Sequence, residues 1–428
     1  MASANTVTIV GASGTNVVSQ LQVTSSQAYA AANLAASNIE SLFGTYGQLN
    51  INTGYAGTAP IIGSAGGSGV PTNNGTLVVG TLTSAVQGLL INNTGLTTAS
   101  NVRFVGGETV LSGTGNLLFS DNGVGTQIIT GGGTNTINFT ASSMFGTFIG
   151  DGANTINVNS SSGVTSIYGT SASVDTITGS GSGQISYTSA PGSSAIINPG
   201  SANVTVFGAA GGTVSVFGGY GTDQLTVNSG TGYFAGGTNG GNSLTSSYAG
   251  LTTLVGGGNG DVLTSYGTGD VLVASTGAET LNGANSGGGV NLWASSTGSS
   301  LMFGSAATGD TFFTSTSTVQ GVGFEGTFID MHTAPNTSLP GLNHASNEIV
   351  VGLGDTAKLA NFASVGDFVS GLDKIVLVTA NIGANYNLSY ATVSTGTGTE
   401  AMTTLTTTNG STILLYNAHV VASDITKV

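Results

Sequence analysis

The chain has no cysteine and, among its 428 residues, only four basic ones: Arg103, Lys358, Lys374 and Lys427. The first absence excludes a disulfide framework and thiol chemistry, and is compatible with a place outside the cytosol. The second excludes nucleic acid as a partner, because phosphates are gripped by Lys/Arg patches that four scattered residues do not build. An anionic membrane surface is disfavoured on the same ground. The three histidines, His332, His344 and His419, do not form the His-Glu-x-x-His of a zinc protease. No apolar run approaches ~18 residues, so no membrane-spanning helix is expected. The opening "MASANTVTIVGASG" has neither a basic segment nor a long apolar one, so no cleaved secretory signal is expected there.

Charged residues of either sign make up only 5% of the chain, whereas 39% is hydrophobic; the net charge is −14 and the mean hydropathy +0.28. Disorder needs the opposite balance, so an ordered chain is expected. A free protein surface usually mixes many charges, and their scarcity here points to a surface covered by other copies of the chain. Glycine is abundant, and short alternating runs such as "TNTINFT" and "GTVSVFG" signal brief strands joined by tight turns.

One helix is predicted. In "SSQAYAAANLAASNIESLFG", residues 25–44, Tyr29, Ala32, Ala36, Ile39 and Phe43 fall on one apolar stripe, with Ser26 to cap the start and Gly44 to end it. A Gly/Pro/Ser/Asn linker follows, so residues 1–76 are expected to form a small head.

Beyond it the sequence repeats. "GGYGTDQLT", residues 218–226, fits the nonapeptide G-G-x-G-x-D-x-U-x of calcium-binding β-rolls without a miss, through Gly218, Gly219, Gly221, Asp223 and Leu225. Equivalent polar positions follow at Asn242, Asp261 and Glu279, steps of 19, 19 and 18 residues, each with a leucine two places on: Leu244, Leu263 and Leu281. Upstream the same unit recurs as Asn116 with Leu118, Asn135 with Ile137, Asn154 with Ile156, and Asp175 with Ile177. Asp270, with Leu272, lies a half-step after Asp261. Two nonapeptides make one turn of a coil, so the expectation is a right-handed parallel β-roll or β-helix solenoid over residues 77–320, in which neighbouring turns bury what one turn alone cannot. A β-rich module of different pattern follows at 321–428.

Calcium takes six to eight oxygen ligands in irregular geometry. Asp223, Asp261, Asp270 and Glu279 are the candidate acidic ligands, Asn242 a neutral one, and Gly218, Gly219 and Gly221 would let the loop adopt positive φ and turn its carbonyls inward. The same file reads equally well as a metal-free row of turn residues. The uncharged Asn116, Asn135 and Asn154 read as an asparagine hydrogen-bond ladder.

Near the end, "DFVSGLDKIVL", then the Thr-rich "TTTNGSTILLYN", then "ASDI" resemble the carboxy-terminal module of RTX-type proteins exported by type I secretion. That family includes bacterial surface-layer proteins, adhesins, proteases and lipases. The resemblance spans roughly residues 200–428. It implies export from a Gram-negative cell by an uncleaved carboxy-terminal signal, and calcium at the acidic positions just named.

Catalysis is not expected. G-x-S-x-G hits in so Gly- and Ser-rich a chain lack a strand-elbow-helix context. A β-helix lyase needs a base beside an acidic metal cluster, and Arg103 is the only base in the first 357 residues. Asp261 and Asp270 as a carboxylate pair for glycoside hydrolysis compete with the plainer reading of turn residues. Asp330 and Glu325 beside His332 read as a loop, and Trp293 as core or interface. The expected function is an extracellular structural protein that assembles with itself into a surface layer or filament. The alternatives are an adhesin or biofilm-matrix protein binding a cell-surface glycan or lipopolysaccharide, and an ice-binding solenoid with a flat Thr/Asn face in "TNTINFT" and "ANTINVN".

Overall fold

The structure, a computed structural model, describes residues 116–121, 126–140, 143–313 and 368–428, apart from scattered turn positions, and elsewhere little more than the backbone of strands. The predicted helix at 25–44, His332 and His344 lie outside the described residues, whereas the expected linker holds the strands Ile61–Ala65 and Val70–Pro71, the first paired antiparallel with Gly88–Asn92. The fold is mainly β, a parallel β-solenoid of about nine turns. The chain divides into two compact units, Met1–Thr231 and Gly232–Val428.

In the first unit, from residue 100 to 227, each strand segment pairs in parallel with its counterpart one turn away, so that alternate residues stack turn upon turn. One inward file runs Val110, Ile128, Phe148, Ile167, Tyr187, Val206 and Leu225, each in register with the next. The opposite file runs Phe119, Ile137, Ile156, Ile177, Ile197 and Val216. All of these side chains are buried. The alternation is plain in Ser194–Asn198, whose Ala195 and Ile197 face in while Ile196 and Asn198 face out. Burying each large aliphatic chain stabilises the coil by roughly 1.5–3 kcal/mol, and the parallel ladder satisfies main-chain groups on both sides of every interior strand.

The second unit repeats the plan. Leu244, Leu263, Leu281 and Met302 form one inward file, and Leu254, Leu272, Leu292 and Phe312 the other. The second file's register continues through position 320, by way of Phe328, Ile349 and Ile375, to Ile425 in the last strand, Ile425–Lys427. The strands Tyr386–Thr395 and Gly398–Thr407 form an antiparallel hairpin that is extended by Thr412–Tyr416. Among the described residues no helix is long and apolar enough to cross a membrane.

Two repeat assignments are corrected by the register. Leu117 pairs with Asn135 and Phe119 with Ile137, so the buried partner of Ile137 is Phe119, and Leu118 faces the other way. The step from Asn116 to its true equivalent, Thr134, is 18 residues, one fewer than the spacing to Asn135. Ile177 and Leu225 belong to opposite files, because the 48 residues from Asp175 to Asp223 amount to about two and a half turns.

Candidate functional site

The acidic residues of the repeat begin strands, and the coil turns them inward. Gly260 and Gly269, with φ of 84° and 77°, directly precede Asp261 and Asp270. A left-handed residue there reverses the chain's course cheaply only in glycine, so the carboxylates that follow enter the coil, and both are buried.

In the second unit, Asn242, Asp261 and Glu279 share one register position, as their neighbours Ser243, Val262 and Thr280 pair in sequence. Asp261 Oδ1 accepts the main-chain N–H of Asn242 at 2.8 Å and its side-chain amide at 2.9 Å. Asp261 Oδ2 accepts the N–H groups of Gly257 and Gly258 at 2.6 and 3.0 Å. Glu279 Oε1 accepts the Ser275 N–H at 2.8 Å, while its Oε2 is buried without a hydrogen-bond partner. Asp270 lies on the other strand of the coil, in a separate file. Its Oδ1 accepts the Thr252 N–H at 2.9 Å, and its Oδ2 the hydroxyls of Ser265, at 2.7 Å, and Ser246.

Asp310 repeats this arrangement two turns on in the same file, accepting the Val290 N–H at 2.9 Å and the Ser305 N–H at 2.6 Å. Asp223, in the first unit, accepts the Val204 N–H at 2.9 Å. Each aspartate thus takes a main-chain donor at its own register position one turn back, and Asp261, Asp270 and Asp310 also take donors from the bend leading into them. A charged acceptor makes such a bond worth roughly 1.5–3 kcal/mol. The arrangement is a brace that ties each bend to the turn beneath it.

The glycines of the nonapeptide work differently from expectation. Gly218 is exposed, and neither Gly219 nor Gly221 has positive φ. A Cβ on Gly219 would stand 2.0 Å from the Gly200 carbonyl oxygen, and one on Gly221 2.3 Å from that of Ala202. They are glycine because successive bends stack backbone on backbone.

Burial sets the protonation of two of these carboxyls. It pushes Glu279 up to about 8; the Ser275 and Thr276 N–H groups oppose the rise and the Asp261 charge adds to it. In the first unit, burial pushes Asp175 up to about 6, against hydrogen bonds from the Asn154 amide at 2.8 Å, the Ser173 hydroxyl at 3.0 Å and the Tyr187 hydroxyl at 3.1 Å. The same pocket raises the Tyr187 phenol, by burial first and then by the Asp175 charge. The asparagine ladder exists where Asn135 donates to Asn154 at 2.9 Å and Asn154 in turn to Asp175, whereas Asn116 accepts the Thr134 N–H at 2.8 Å instead.

Among the described residues no group of three or more His, Asp or Glu side chains gathers as a metal cage. The donors around Asp261 and Asp270 are N–H and O–H groups, so a calcium ion there would compete with the brace. Spacing alone missed Asp310, although Gly309-Asp310-Thr311-Phe312 repeats Gly260-Asp261-Val262-Leu263 and Gly269-Asp270-Val271-Leu272 in type. It also missed the Ser173–Asp175–Tyr187 cluster, which no linear motif announces.

No family model matches the chain, nor does any curated protein or solved structure. The reading of its function therefore rests on the geometry.

Proposed function

We propose that the protein is an extracellular structural element that assembles with itself into a layer or filament on a bacterial surface. The observation that carries this reading is the outer surface of the first unit. Val174, Ile196, Phe207, Phe217 and Tyr220 stand out from it, between 46% and 68% exposed. Apolar side chains of that size on a chain with 5% charged residues favour contact with other copies over free solution. The buried polar residues, meanwhile, serve the turns.

Export through the carboxy terminus belongs to the same proposal. Its support is that the first and last of the three segments resembling a secretion module meet in space. The Ser370 hydroxyl and Gly371 N–H donate to Asp424 at 2.7 and 2.9 Å, and Lys374 Nζ donates to the Ser423 carbonyl at 2.9 Å. Negative-stain electron microscopy of the full chain tests the assembly reading. Ordered sheets or fibres are expected, and dispersed monomers at every concentration would overturn it.

A second reading has one observation in its favour. Thr136, Thr155 and Thr176 stack in register on an outward face beside Asn138, Asn157 and Thr178, which suits an ordered-water or ice surface. Thermal hysteresis of the monomer is the measurement that would favour it.

A further inference from the structure

Among the described residues the strand Tyr386–Thr395 is a long open edge. It pairs with Gly398–Thr407 over all ten residues, from Tyr386 with Thr407 to Thr395 with Gly398, without a bulge. Gly398–Thr407 is covered on its other side by Thr412–Tyr416, and that strand by Phe362–Val365. Among the described residues no strand pairs with the outer side of Tyr386–Thr395. Alternate residues along such an edge direct main-chain N–H and C=O groups away from the sheet.

Folded proteins usually blunt an edge of this length with lysine, proline, a bulge or a covering loop. "YNLSYATVST" contains no charge, no proline and no glycine. Asn387, Ser389, Tyr390, Ala391, Thr392 and Ser394 are exposed. The Tyr390 ring is nonetheless fixed, stacked on His419 at 4.6 Å with its hydroxyl donating to the Val420 carbonyl at 2.9 Å. Ordering this edge in an interface therefore costs little further freedom.

The chemistry of the strand selects its occupant. A cationic, anionic or phosphorylated partner would find no charge on it to recognise. A second copy would find a neutral strand of matching length, rich in Thr, Tyr and Val, which favour sheets. On a chain of net charge −14, a charge-free strand is also where two copies meet with least repulsion. Antiparallel pairing about a two-fold axis is self-complementary. An axis centred on Tyr390 sets Leu388 against Thr392 and Ser389 against Ala391 across the seam.

We infer that two copies of the chain join edge to edge through Tyr386–Thr395, fusing their hairpins into one continuous sheet. This rests on the assembly reading above and names its contact. The test is sedimentation velocity on the full chain carrying Ser389→Lys with Ala391→Lys, both at exposed positions that a monomer tolerates. Lysines facing lysines across the seam should weaken the dimer by at least about 100-fold, with the circular dichroism spectrum unchanged. The wild type has no cysteine, so Ser389→Cys with Ala391→Cys gives a second readout: oxidation should yield a covalent dimer on a denaturing gel.

Lysine variants that still associate, and cysteine variants that do not cross-link, would place the seam elsewhere while leaving self-assembly intact. A wild type that stays monomeric would overturn the assembly reading and this inference together. A cysteine variant that is monomeric and uncross-linked while an added strand peptide protects the edge from exchange would assign the edge to a foreign partner and overturn the inference.

Discussion

Asp261 reaches back one full turn of the coil to hold the main-chain N–H of Asn242 at 2.8 Å. Its other oxygen meanwhile holds Gly257 and Gly258 in its own bend. One side chain therefore fixes both the pitch between turns and the shape of a bend.

Replacing it tests that brace. Asp261→Ala leaves buried N–H donors without acceptors and should lower stability by about 3 kcal/mol or more, whereas Asp261→Asn should lose less, since its amide oxygen still accepts. Urea denaturation of both variants checks the order. Equal losses would mean that packing, not hydrogen bonding, sets the cost.

Stability should fall as pH rises. Asp175 and Glu279 have folded pKa values raised to about 6 and about 8, above the ordinary carboxylate values of 3.8 and 4.5. The folded state then holds protons that the unfolded chain releases. Their contribution is full below about pH 4, and is lost through about 6 for Asp175 and about 8 for Glu279. Growing negative charge acts in the same direction. Melting temperature measured from pH 4 to 9 should decline, and Glu279→Gln should flatten the upper part of the curve. A maximum at pH 8 would contradict the assignment.

Gly219→Ala should destabilise by about 1–3 kcal/mol, as overpacking does, because the new methyl meets the Gly200 carbonyl at 2.0 Å. Gly211→Ala, with no atom within 4 Å but φ of 77°, isolates the cost of backbone strain alone. Comparing their melting curves separates the two reasons for glycine in these bends.

Chelation bears on the metal. With the carboxylates of Asp261, Asp270 and Asp310 occupied by N–H and O–H donors, we expect excess chelator to leave the melting temperature unchanged. A large drop that Asp261→Asn abolishes would restore calcium as a structural ligand.

The alternation of apolar and polar residues and the 19-residue step were enough to read a parallel coil, because side-chain period and repeat length are properties of a single strand and a single turn. Leu244, Leu263 and Leu281 stack as their spacing says. Phe119 in place of Leu118, and the separation of Ile177 from Leu225, escaped that reading because the loss of one residue in a bend, or of half a turn, reassigns every position after it. Asp310 was legible as Gly-Asp-x-Phe but not as a 19-residue step.

By itself, then, the sequence determined the class of fold, the apolar alternation and the poverty of charge. Only the tertiary structure decided what the acidic residues do. Whether a carboxylate meets a cation or an N–H group depends on which atoms the next turn brings within 3 Å, and that is set by stacking rather than by spacing. It also decided that Tyr386–Thr395 is an edge among the described residues, since a strand is exposed or covered only by what lies beside it in space.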